Sequence, residues 1–227
     1  MSKKISIILL LLCLGLFSQA QSYQKISQGV KTTVQGMDVE VAFYSPSIVR
    51  VYKTPEGSSY DKKSLVVMKE PEETFVEFAM NKEYIRLKSD ALQVEVNSST
   101  GGINFYDATG RVLLKDKDYG TQFTPFDDVG YFFLQCPAGF LLDKDEVIYG
   151  LGQQQTGKVN QRNQKLFLRN KNMSICIPFI HSVKGYGLYW DNYSPTMFTD
   201  NPQEMSFDSE VGDCATIISF MVAMRTA

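Results

Sequence analysis

The chain has 227 residues, 44% of them apolar, and sets 23 lysines and arginines against 25 aspartates and glutamates, a formal net charge of −2. With no long block of either sign, this balance is wrong for a nucleic-acid partner, whose phosphates call for clustered cations. A single histidine and the absence of any Cys-x-x-Cys argue against structural zinc, and no metal or other cofactor is expected.

In chain order, the first segment is a targeting element. Lys3 and Lys4 precede an apolar run from Ile5 to Phe17, and Ser18-Gln19-Ala20 places small residues where signal peptidase reads. This is the layout of a secretory signal. The run is shorter than the roughly 20 residues that a spanning helix needs. A protein exported to the periplasm or the outside after cleavage near Ala20, with no membrane span, is therefore expected. Cys13 follows Leu12 rather than a small residue, which disfavours a lipid anchor there. The cysteines beyond the signal, Cys136, Cys176 and Cys214, are odd in number and widely spaced, so no disulfide framework is indicated.

Beyond the signal the dominant period is two. Val39, Val41 and Phe43 alternate with Glu40 and Ala42; Leu92, Val94 and Val96 alternate with Gln93 and Glu95; Ile175, Ile177 and Phe179 obey the same rule. Such alternation marks half-buried strands. Further β runs are expected at Ile48–Tyr52, Thr74–Met80, Tyr84–Leu87, Arg111–Leu114 and Tyr186–Trp190, divided by turn clusters such as Pro55-Glu56-Gly57 and Asp107–Gly110. No apolar period of 3.6 is sustained. Many short strands at regular spacing predict an all-β fold, an antiparallel β-sandwich forming one domain over 21–213.

Residues 150–159 read GLGQQQTGKV, close to a phosphate-binding loop. That loop requires a following helix and a hydroxyl after its lysine. Val159 stands in the hydroxyl's place, and the next apolar run, Leu166-Phe167-Leu168, reads as strand. The phosphate reading is accordingly weak.

The same segment carries a stronger likeness. Glu146-Val147-Ile148-Tyr149-Gly150-Leu151-Gly152-Gln153, then Gly157, Asn160 and Arg162-Asn163-Gln164, then Ile177-Pro178-Phe179-Ile180-His181-Ser182, then Gly185 through Ser194, follow one another in a characteristic order. Together with Phe43 through Val51, these blocks resemble the N-terminal domain of glycoside hydrolase family 31, and are most similar to its bacterial α-xylosidase-like and α-glucosidase-like members. The resemblance implies a sandwich of the galactose-mutarotase-like type, one loop of which reaches the rim of an active site on a separate (β/α)₈ barrel. It also implies retaining hydrolysis of α-linked oligosaccharides by two barrel aspartates. This chain is expected to lack that barrel, to be inactive alone, and to serve as a non-catalytic domain. A free-standing carbohydrate-binding module and a structural sandwich are the alternatives.

Asn172 matches an asparagine of the family's rim loop, although Met173 replaces the threonine usual beside it. With Asn170 and the amides of Gln153, Gln154 and Gln155 it forms the set of candidate rim residues, since side-chain amides meet sugar hydroxyls as both donors and acceptors. Asn163 stands where the family has glycine, and asparagine tolerates positive φ better than most residues.

Other conspicuous residues have plainer readings. Tyr186, Leu188 and Trp190 share one strand face and read as core rather than as a sugar-stacking platform. His181 reads as a packing residue and Cys176 as a buried, inert thiol. Asp127-Asp128 and Asp143 through Glu146 read as turn and solvated positions rather than an acid/base pair, because neighbours on a strand face opposite ways.

The last residues, from Cys214 to Ala227, leave the family pattern. Read one base out of frame, the codons for Ala215–Ala227 permit Asn/Asp-Tyr-Tyr-Phe-Phe-His/Tyr-Gly-Gly-Asn-Ala-Asp-Gly, the kind of run with which the family continues. A frameshift near Cys214 is expected, with loss of the domain's closing strand, an incompletely covered sheet edge and self-association through it. Resequencing the gene across this junction is expected to place the family run in frame; a confirmed frame ending at Ala227 would contradict it.

Overall fold

The computed structural model describes residues 23–58, 64–68, 70–128, 131–210 and 215–221. The expected signal and Cys214 lie outside them. The described residues form eighteen strands and no helix, and every strand pairing is antiparallel.

Eight strands make the first sheet, in spatial order β1 (Tyr23–Ile26), β2 (Gly29–Val34), β3 (Met37–Ser45), β4 (Ile48–Pro55), β18 (Ala215–Met221), β15 (Tyr186–Trp190), β14 (Ile175–Ser182) and β12 (Ile148–Gln153). The second runs β13 (Lys165–Leu168), β16 (Thr196–Asp200), β17 (Met205–Ser209), β11 (Tyr131–Leu141), β9 (Val112–Thr121), β8 (Ile103–Asp107), β7 (Leu92–Asn97), β6 (Tyr84–Lys88) and β5 (Glu77–Met80), with β10 (Thr124–Asp128) added on β11. The inner faces meet in one apolar core. This is the expected antiparallel sandwich.

The core follows the alternation that the sequence carries. Val39, Val41 and Phe43 on β3, and Leu92, Val94 and Val96 on β7, are all buried, as are Tyr186, Leu188 and Trp190 on β15. Trp190 stacks on Phe207 at 5.6 Å, and its indole N–H donates to Ser209 Oγ at 2.9 Å, so its polar edge is satisfied within the core. It is core, not a platform.

Three expectations need correction. On β14, Ile175 and Ile177 are 53% and 51% exposed, while Ile180 and Ser182 are buried. Both parities of this strand carry apolar residues, and pairing of Ile180 with Leu188 of β15 selects the even one for the core. Asp127 and Asp128 lie in β10, opposite Phe132 and Tyr131, rather than in a turn. Nor is the closing strand missing: β18 runs between β4 and β15, with Ile217 opposite both Val51 and Trp190. Sheet pairing is made by the backbone, so a β-prone segment can fill the place whatever its side chains. The anticipated gap, and self-association through it, lose their structural basis.

One inward position of β4 is a charge. Lys53 shares the parity of Val49 and Val51, and its Nζ meets Asp116 Oδ2 of β9 across the core at 2.8 Å, both side chains buried. The Ile103 N–H also donates to Oδ2, at 2.9 Å. Burial pushes the Asp116 carboxyl above its ordinary range, against the pull of the lysine. Lys53→Met leaves that carboxyl without its cation and is expected to cost about 3 kcal/mol or more. Lys53→Met with Asp116→Leu is expected to recover much of the loss. Urea unfolding of both variants checks this; a double variant less stable than the single one would refute it.

Candidate carbohydrate-rim site

The rim begins at the edge strand β12, where its backbone approaches β14 too closely for side chains. A Cβ on Gly150 would stand 2.2 Å from the Phe179 carbonyl oxygen, and one on Gly152 2.1 Å from that of Ile175. Their φ angles are +119° and +80°, with Leu151 between them at 66°. Only glycine fits both demands at low cost. The pairing register steps here, Gly150 lying opposite Ile180 and Gly152 opposite Cys176, so Ile177 to Phe179 bulge against Leu151 alone. Pro178, which lacks an N–H, sits in that bulge.

After Gln153 the chain leaves the sheet in turns and irregular backbone until β13, and Lys158 begins no helix. The phosphate-loop reading fails for want of the amides it needs. The loop returns when the Gln161 N–H donates to the Ile148 carbonyl at 2.8 Å.

A buried polar network pins this return. Arg162 donates from Nε to Asp200 Oδ2 at 2.9 Å and from Nη1 to the carbonyls of Asp143, at 2.9 Å, and Glu146. The Asn163 N–H donates to the same Asp200 oxygen at 2.6 Å. Asn163 has φ 56°, the conformation expected where the family places glycine. Glu146, expected to be solvated, is buried instead: its Oε1 accepts from Ser182 Oγ and Tyr186 Oη, each at 2.6 Å, and its Oε2 pairs with Lys184 Nζ at 3.0 Å. Burial first, and then the Glu146 charge, push the Tyr186 phenol well above its ordinary value. Nothing in the local pattern around Glu146 or Asp200 marks either as internal, because their partners come from distant strands.

The five candidate residues fall into one neighbourhood at the meeting of β12 and β14. Gln153 pairs with Ile175. Gln154 Nε2 donates to the carbonyls of Leu151, at 3.0 Å, and Ile175, at 3.4 Å. Asn170 Oδ1 accepts from the Cys176 N–H at 2.8 Å. These three build the ledge. Asn172 stands at the tip of a two-residue turn closed by the Lys171–Ser174 bridge, with Met173 at φ 67°. Only the second turn position has positive φ, the pattern of a type II turn, where glycine is usual. Asn172 and Gln155 are exposed, and their side chains make no hydrogen bond among the described residues. Cys176 is half-buried, and burial pushes its thiol upward, toward the inert form expected.

An all-antiparallel sandwich with a glycine-bulged edge strand feeding a polar loop places the molecule among the mutarotase-like sandwich domains. More particularly, the chain belongs to the glycosyl hydrolase 31 N-terminal galactose mutarotase-like domain family, whose model matches residues 38–200. It is 30% identical over 171 residues to an α-xylosidase of Saccharolobus solfataricus, covering 71% of this chain and 23% of that protein. It is 25% identical over 190 residues to α-glucosidase 2 of Bacillus thermoamyloliquefaciens, covering 77% and 23%. Among solved structures, the family 31 α-xylosidase of Xanthomonas citri aligns with a TM-score of 0.72 at 27% identity, over 78% of this chain and 20% of its own. A family 31 α-xylosidase from a soil metagenome, complexed with xylose, has the same fold, with a TM-score of 0.80 at 20% identity over 89% and 32%. The chain thus spans about a quarter of the length of these curated relatives.

Arg162→Ala strands the buried Asp200 carboxylate and is expected to lower unfolding stability by about 3 kcal/mol, whereas Gln155→Ala at the exposed tip is expected to stay within about 0.5 kcal/mol. Urea titration of both checks this, and equal losses would contradict the division between pinned base and exposed tip.

Proposed function

We propose that this chain is the non-catalytic, carbohydrate-associated N-terminal domain of an exported α-glycosidase of α-xylosidase or α-glucosidase type, acting on α-linked oligosaccharide. The observation that carries the reading is its 30% identity to an α-xylosidase of which it spans only 23%. The domain supplies part of the sugar pocket's mouth. Gln155 and Asn172, exposed on a ledge held by Gln153, Gln154 and Asn170, present amides to sugar hydroxyls, and the register step at Gly150–Gly152 aims the loop. Chemistry belongs to the polypeptide that the longer relatives carry beyond the matched region.

The carboxylates at the base of the rim loop support a non-catalytic role. Retaining hydrolysis takes two carboxyl groups about 5 Å apart that both reach one glycosidic bond. Glu146 is committed to Ser182, Tyr186 and Lys184, and Asp200 to Arg162 and the Asn163 N–H. Export follows from the leader at 1–20. Purified chain is expected to leave p-nitrophenyl α-xyloside and α-glucoside unhydrolysed, and measurable turnover would overturn the non-catalytic reading. Chain recovered from the periplasm or medium is expected to begin at Gln21; a cytosolic product retaining Met1 would overturn export.

A further inference from the structure

A cavity that shares no residue with the rim loop opens at the end of the sandwich, lined from both sheets. It has a volume of about 500 Å³, within the range of ligand sites. Its walls come from the β2–β3 turn and the start of β3, the end of β4, the β7–β8 turn, the end of β9, its connection to β10, the start of β10, and Leu134 of β11. Among the described residues, no lysine, arginine, aspartate, glutamate or histidine lines it. That excludes the ligands which charge recognises, phosphates, nucleotides and ionic peptides among them.

What lines it instead is aromatic surface alternating with amides and hydroxyls. Tyr119, 44% exposed, and Phe123 supply aromatic surface, Gln35 and Gln122 amides, and Thr100 a hydroxyl. A pyranose ring has just these complements, a C–H face to lay on an aromatic ring and a girdle of hydroxyls that both donate and accept. Gln35 is held at φ 53°, and its Nε2 donates to the Ser99 carbonyl at 3.1 Å, which ties the β2–β3 turn to the β7–β8 turn beside the cavity.

We propose that this cavity binds a neutral α-linked oligosaccharide through one or two of its sugar units, with Tyr119 as the stacking face. The site itself stands on its geometry; the choice of α-linked sugar rests on the proposed function. The domain would thereby hold substrate at a second place, raising its concentration near the parent enzyme.

Isothermal titration calorimetry of the full chain with isomaltotriose, and with cellotriose as the β-linked comparison, tests it. Isomaltotriose is expected to bind, about tenfold more weakly to Tyr119→Ala and measurably more weakly to Gln122→Ala, and unchanged to Lys144→Ala on an exposed turn. Equal melting temperatures confirm that each variant is folded, and Gln122→Ala carries the test if Tyr119→Ala is not. Binding lost in Gln155→Ala but kept in Tyr119→Ala would move the sugar to the rim and overturn the cavity site while leaving the proposed function in place. Binding of cellotriose alone would keep the cavity and overturn the α-linked assignment. No binding of either sugar to folded chain would overturn the proposal outright.

Discussion

At the edge of the first sheet, two backbones approach until a carbonyl oxygen occupies the place where a side chain would begin. Gly150 and Gly152 make that approach possible, and the geometry of the rim follows from it. Without a Cβ on either residue, β12 bends around Leu151, the β14 register steps, and the chain is thrown off the sheet at Gln153 instead of continuing as strand. The loop that leaves there must come back to start β13 in the opposite sheet. Arg162 makes the return possible by gathering the carboxylate of Asp200 and two main-chain carbonyls at one guanidinium.

Among the described residues, buried charge ties the layers of the sandwich together in two places. Lys53 and Asp116 join β4 to β9 through the middle of the core. Arg162 joins the rim loop to β16, beside Glu146, whose partners lie on β14, β15 and the connection between them. Each ion must leave water, a cost that Coulomb attraction and added hydrogen bonds only partly offset, so these pairs are poor sources of net stability. They discriminate strongly, however. A slip of one residue in either sheet would bury an uncompensated charge, and alternative registers that apolar packing alone would tolerate are thereby excluded.

The strand at Ala215–Met221 illustrates the opposite kind of tolerance. It lies beyond the residues that the family model matches and pairs with both β4 and β15 along its length. A strand between two others is held by main-chain groups that every non-proline residue carries. Its place asks little beyond β propensity, in contrast to β12, where two positions admit one residue type.

The sequence by itself determined the fold class and most of the core, and it singled out candidate residues that the fold brings to one neighbourhood. Strict alternation on β3, β7 and β15 names inward residues because the side-chain period of a strand is a local property of its backbone. The order of blocks from Glu146 to Ser194 named the family, and the same segment contained the ledge residues Gln153, Gln154 and Asn170. Tertiary structure alone decided what depends on partners distant in the chain. Which parity of β14 faces the core is set by Leu188, not by the apolar residues present on both faces. That Glu146 is internal is set by Ser182 and Tyr186, 36 and 40 positions away. The cavity beneath Tyr119 exists only where turns from both sheets converge, and convergence of segments far apart in sequence leaves no periodic trace in any one of them.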